Sequence, residues 1–137
     1  MFTLRPDEQK RYEEEAGELC GCLACRHFRK TFGKTFRRSA RFLEKLGIRE
    51  KAEIEIMELG LSEDRKSRSY YAYYLLAGEL RGDGIRVFEE REDGGLYAIL
   101  TLYRKDSERT SFPWPGEEGE WFVLEIETLL PAGDLPE

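Results

Sequence analysis

The sequence predicts an α+β domain: one or two N-terminal helices packed on an antiparallel sheet of about five strands, arranged as a meander. Three observations carry that expectation. Apolar residues recur at three- and four-residue steps between Thr35 and Leu46. After Ile48 the period changes to two. The apolar runs that follow are joined, with one exception, by short turn-rich connections, which suits a sheet curled over the Phe36–Leu46 helix. At 137 residues and 16.0 kDa the chain is read as one domain, 1–137, with no repeat and no linker.

The elements follow in order. The acidic stretch Asp7–Glu18 is expected to form a short polar helix or a mobile arm, the arm taking in residues 1–18. Gly33 is expected to separate a short helical piece carrying Phe28 and Phe32 from the main helix, "TFRRSARFLEKL". On that helix Phe36, Ala40, Leu43 and Leu46 line one face, while Lys34, Arg37, Arg38, Arg41 and Lys45 collect opposite. Gly47 followed by Ile48 reads as a C-terminal stop, because glycine accepts the left-handed conformation and Ile48 can fold back.

"AEIEIMEL" then alternates isoleucine with glutamate, and "SYYAYYLLAGEL" is apolar on both faces, as befits a central strand, with a helix as the alternative its length allows. Alternation sends Tyr71 and Tyr73 to one side and Tyr70 and Tyr74 to the other. Core packing is favoured for both pairs over a ligand groove. "GIRVFEE" and "LYAILTLYRK" flank an Asp-Gly hairpin signal, and "EWFVLEIETL" is the last strand. Glu89, Glu90, Glu125 and Glu127 are expected on solvent faces. The exception to short connections is Lys105–Gly119, where Pro113 and Pro115 stiffen the chain around Trp114. Trp114 is either a contact anchor for a partner or a cover for one end of the sheet, the cover being favoured. Residues 132–137 are expected to fray.

The net charge of −6 and a pI near 5.1 exclude a uniformly basic chain that coats nucleic acid. No apolar run is long enough to cross a bilayer, and "MFTLRPDEQKRYEEE" lacks the build of a secretory signal. The expected compartment is therefore a reducing cytoplasm, where thiols stay free or bind metal. The net charge hides a division. Residues 26–51 hold ten basic and two acidic side chains, leaving twelve basic and twenty-six acidic in the remainder. The favoured reading lays the basic segment against the protein's own acidic surface, and the alternative is a docking patch for an anionic partner.

All three cysteines and the only histidine fall between Cys20 and His27, as C-x-C-x-x-C-x-H. Zinc prefers four ligands at tetrahedral corners, and thiolate sulfur and imidazole nitrogen suit its borderline softness. Two intervening residues let the backbone turn and point the sulfurs of Cys22 and Cys25 at one ion. Gly21 would ease the bend that brings in Cys20, while Arg26 and Arg29 would offset thiolate charge. Structural zinc sites usually draw ligand pairs from two separated segments, and here the second pair is missing. Either His27 completes a tight local site, or a carboxylate, a second subunit or water supplies the fourth ligand. Two other readings compete: buried cysteine packing with no chemistry, and thiol redox work by Cys22 or Cys25 at a helix N-terminus.

At "CLACRHF", "FLEKLGI" and "YYLLAGEL" the chain resembles a family of small uncharacterised bacterial proteins. That family carries C-x-x-C-R-N-F, a helix ending in leucine-glycine-isoleucine and an aromatic strand ending in glycine-glutamate. The matching positions are Cys22, Cys25, Arg26 and Phe28, then Leu46, Gly47 and Ile48, then Gly78 and Glu79. The resemblance implies no activity. It does place His27 where the family pattern has asparagine, which shifts weight from His27 toward Cys22 and Cys25.

Phosphate-loop, dinucleotide and nucleophile-elbow motifs are absent from the sequence. The leading expectation is a non-enzymatic interaction domain with a zinc site built on Cys20, Cys22, Cys25 and His27, its protein partner unidentified and a homo-oligomer among the alternatives. Below it stands nucleic-acid or other polyanion binding through Lys34, Arg37, Arg38, Arg41 and Lys45, opposed by the acidic remainder. A thiol redox protein is the third reading.

Overall fold

The computed structural model describes residues 1–104 and 120–133. Trp114, the rest of the 105–119 connection and residues 134–137 lie outside the described residues. The α+β class is as expected: three α-helices and a curled antiparallel sheet are present. In chain order the elements are β1 (Phe2–Leu4), α1 (Pro6–Glu15), α2 (Leu23–Thr35), α3 (Arg37–Lys45), β2 (Glu53–Leu61), β3 (Ser67–Leu80), β4 (Ile85–Arg91), β5 (Tyr97–Arg104) and β6 (Trp121–Pro131). No helix among the described residues is long and apolar enough to cross a membrane.

The strand order is β1-β3-β6-β5-β4, with β2 also paired to β3, so the sheet is not a consecutive meander. The last strand is inserted between β3 and β5 instead of following β5 at the edge. Composition accounts for the insertion. Residues Trp121 through Ile126 are all buried, which demands neighbours on both sides, whereas β4 exposes Arg86, Glu89 and Arg91 and is suited to an edge.

Alternation along β3 and β6 divides the interior. Tyr70, Ala72, Tyr74, Leu76, Phe122, Leu124 and Ile126 face α2 and α3, and join Phe28, Phe32 and Phe36 in the main core. Tyr73, Leu75, Ala77, Trp121 and Val123 form a second cluster on the other face, with Tyr12 of α1 packed edge-on to Trp121. The tyrosines split as alternation requires, and the Tyr70 and Tyr74 pair is core, not a groove.

The helices break at Phe36, not at Gly33. Phe36 leaves helical geometry (φ −118°, ψ 73°) and is fully buried, so the bend drives its ring into the core. Gly33 stays inside α2, where a Cβ would stand 3.8 Å from that of Ala40. α3 packs more weakly than its periodicity suggests: only Ser39 is fully buried, while Phe42 stacks on Phe88 at 5.0 Å. Its end is a Schellman cap as expected. Gly47 has φ +73°, Ile48 N–H donates to the Leu43 carbonyl at 3.0 Å, and Gly47 N–H donates to Glu44 at 2.9 Å.

Of the two expectations for the acidic stretch, the helical one is realised as α1. β1, which the sequence reading missed, pairs with β3, and the whole segment is tied to the sheet. The Gln9 amide accepts from Ala77 N–H at 2.7 Å and donates to the Leu75 carbonyl at 3.0 Å. Glu13, almost fully buried, accepts from Gln9 at 2.8 Å and from Arg49 at 2.5 Å. Ala132, expected in the frayed tail, is buried and bonded to Lys66 at 2.9 Å.

Candidate metal centre

Cys22 is the N-cap of α2. Its extended backbone starts the helix, and its sulfur accepts from Cys25 N–H at 3.4 Å. The capping turn thereby sets the Cys22 and Cys25 sulfurs side by side. The preceding bend brings in Cys20, and all three sulfurs lie within 4.8 Å of one another. Gly21 has no positive φ, so this bend uses no conformation reserved for glycine. A tetrahedral zinc ion with bonds of about 2.3 Å needs sulfur separations of about 3.8 Å. Modest closure would bring the three thiols to that spacing.

The thiols differ in environment. Cys20 and Cys22 are exposed, Cys25 is 4% exposed, and all three are free. Hydrogen bonds from the Cys25 backbone N–H, then from the Cys25 and Cys20 thiols, lower the Cys22 pKa to about 7. Burial, then hydrogen bonding to its two neighbours, pushes Cys25 up to about 12. The cluster thus offers one thiolate near neutral pH, and a bound cation would have to displace the remaining thiol protons.

Arg29 fixes the loop from behind. Its guanidinium donates to the Cys20 carbonyl at 2.7 Å and holds Glu53 of β2 through two bonds, 3.1 and 2.8 Å. The Glu53 pairing raises the Arg29 pKa further above its already high value. Lys51 adds a bond to the Gly17 carbonyl at 3.1 Å. The sequence marked Arg29 only as charge compensation. Its carboxylate partner lies 24 residues away, and no local spacing signals that pairing.

His27 is not among the gathered ligands. Two residues beyond Cys25 on a helix is a rotation of about 200°, which turns the imidazole away. Its Nδ1 sits 2.7 Å from the Tyr70 hydroxyl, and the Pro131 carbonyl is a further hydrogen-bond partner. Burial, reinforced by Arg68, lowers the His27 pKa and favours the neutral ring. Among the described residues no histidine or carboxylate joins the three sulfurs within the same distance.

The predicted basic face is partly dismantled. All five residues are exposed, but Arg38 pairs with Glu90 at 3.6 Å while Lys34, Arg37, Arg41 and Lys45 make no ion pair among the described residues. Glu90 is buried, not solvent-facing. One carboxylate oxygen accepts from both the backbone N–H and the hydroxyl of Ser39, each at 2.8 Å, and so caps the first turn of α3 from a neighbouring strand. Glu125 is also buried, accepting from the Tyr73 hydroxyl at 3.0 Å. Glu127, half-buried, accepts from the Tyr97 hydroxyl at 3.1 Å, and Glu89 is exposed and bridges Arg86 and Arg91.

Comparison with protein-family models, with curated proteins and with solved structures finds no match for this chain.

Proposed function

We propose that this chain is a small metal-binding interaction domain that holds one zinc ion on Cys20, Cys22 and Cys25. The observation that supports this reading is the convergence of the three sulfurs to within 4.8 Å at the start of α2. Three thiolates form a soft donor set suited to zinc, and Cys22 is already partly ionised at neutral pH. The ion's role is structural: it locks the loop before α2 against the helix start. The fourth position goes to an exogenous ligand, either water or a group from a partner. Exposure of Cys20 and Cys22 leaves room for it.

The test is elemental analysis of protein purified without added metal. About one zinc per chain is expected. Replacing Cys22 and Cys25 by serine should abolish it, with circular dichroism checking that the variant folds. Cobalt substitution should add thiolate-to-metal charge-transfer bands, which disappear in the same variant. Absence of stoichiometric metal after reconstitution under reducing conditions would sink the proposal. An exposed low-pKa thiol beside a buried one also suits thiol–disulfide exchange. That reading predicts a disulfide between Cys22 and a neighbour under mild oxidation, with no metal bound by the reduced protein.

A further inference from the structure

The exposed cations of α2 and α3 form two regular ridges. Arg26, Lys30 and Lys34 follow i, i+4, i+8 on α2, and Arg37, Arg41 and Lys45 repeat the spacing on α3. At 1.5 Å per residue, neighbouring charges in each ridge are about 6 Å apart along the axis. The faces of α2 carrying Cys25, Phe28 and Phe32, and of α3 carrying Ser39 and Leu43, turn toward the sheet. Both ridges therefore point outward from the same helical layer.

Pairing separates these six from most of the arginines elsewhere in the chain. Arg29, Arg38, Arg49, Arg68, Arg86 and Arg91 each meet a carboxylate. The six ridge cations make no ion pair among the described residues, and Glu44 is the only acid between Arg26 and Lys45. Within the basic segment Arg29, Arg38 and Arg49 lie against the protein's own acids, and the ridge cations do not.

We infer that the two ridges are a docking surface for the phosphate backbone of double-stranded DNA. Regularly spaced, unpaired cations on an outward-facing helical layer match a regular array of phosphates. Other anionic partners need features that this surface lacks. Single strands call for aromatic stacking platforms, and a bilayer surface for an apolar helical face. Among the described residues the large exposed apolar side chains are Met1, Leu23 and Leu59, none aromatic and only Leu23 on α2. An acidic protein surface would be expected to meet aromatic anchors, which are missing from this surface among the described residues. A-form RNA duplexes are read largely through 2′-hydroxyls by polar groups, and these ridges offer only cations. The acid-rich α1 packs through Tyr12 on the other sheet face, its Glu13 is already paired with Arg49, and acids beyond about 8 Å from the ridges are screened at physiological salt. The surface also revises the sequence-derived set, dropping Arg38 and adding Arg26 and Lys30.

The experiment is a fluorescence-anisotropy titration of a labelled random DNA duplex of about 20 base pairs, between about 50 and 200 mM salt. Contact with four to six phosphates predicts a log–log salt slope of about −4 to −5. The triple variant Lys34→Gln/Arg37→Gln/Arg41→Gln should reduce that slope by about 3. Arg81→Gln/Arg86→Gln/Arg91→Gln removes equal charge from cations that have carboxylate partners, and should leave the slope unchanged. If the first triple fails to fold by circular dichroism, Arg26→Gln/Lys30→Gln replaces it, with a loss of about 2. The inference is overturned if the parent does not bind at the lowest salt, or if both triples lose equally. It is also overturned if an RNA duplex or phosphatidylserine vesicles bind more tightly than DNA, or if the only salt-sensitive event is self-association. Metal content plays no part in these outcomes, so failure here leaves the zinc proposal standing.

Discussion

Gly78 shows how one missing side chain admits a whole strand. Its φ of +156° and the approach of β1 leave no space: an added Cβ would lie 2.0 Å from the Thr3 carbonyl oxygen and 3.1 Å from the Leu4 Cα. Both obstacles are backbone, so neither can yield by a rotamer change. Gly78→Ala should therefore detach β1 from β3 and lower stability by about 2–3 kcal/mol, read as a fall in the urea midpoint. An unchanged midpoint would mean that β1 is not held there in solution. His27 makes a different point, because its chemistry suggests a ligand and its direction makes it a half-buried hydrogen-bond partner of Tyr70. Removing it should strand the buried Tyr70 hydroxyl, now 2.7 Å from Nδ1. His27→Ala is expected to cost about 1–3 kcal/mol in chemical denaturation yet leave zinc stoichiometry unaltered. Loss of metal in that variant, with the fold intact, would return His27 to the ligand set.

Between elements, the decisive contacts are those that bring a side chain from one segment to the backbone of another. Arg29 joins the Cys20 carbonyl to Glu53, so the position of the cysteine loop depends on β2. Arg29→Ala should weaken zinc binding about 10- to 100-fold in competition with a chromogenic chelator. Lysine should rescue little, since one ammonium cannot reproduce the two-pronged hold on Glu53 while also reaching Cys20. An unchanged affinity would show that the loop needs no support. Such contacts also explain what the sequence could and could not reveal. Strand β2 was legible from alternation, β3 to β6 from apolar runs and the turns that bound them, and the Gly47–Ile48 stop from local turn chemistry. The place of β6 was not, because pairing of Trp121 with Ala77 is a choice among distant partners. The break at Phe36 was misread as Gly33 because backbone permissiveness is visible locally, while the pull of a buried ring on the core is not. The same limit applies to Glu90. Its neighbour Glu89 is an ordinary solvent-facing acid, and only the arrival of Ser39 makes Glu90 a buried helix cap. The gathering of three sulfurs was foreseeable because all three lie within one turn and its approach.

On the scale of the whole molecule, the candidate metal centre is local while the core is not. The main cluster draws on α2, α3 and all six strands as fully or partly buried contributors, and Cys25 is the cysteine that is buried. Cross-linking helps a fold most when it joins distant segments, and Cys20 to Cys25 closes a loop of only a few residues. A ligand set this compact can also form in the unfolded chain. Any affinity of the unfolded state for the ion subtracts from the stabilisation that binding gives the native state. Chelation should therefore lower the melting temperature by no more than about 5 °C and leave a cooperative transition, unlike a zinc finger, which unfolds without its ion. Hydrogen exchange should locate the change: amides of the first turn of α2 lose protection, while those of β3 and β6 keep it. Collapse of the whole sheet on chelation would contradict this. It would require the ion to be bound through a second, distant segment, with the three cysteines supplying only part of its ligands.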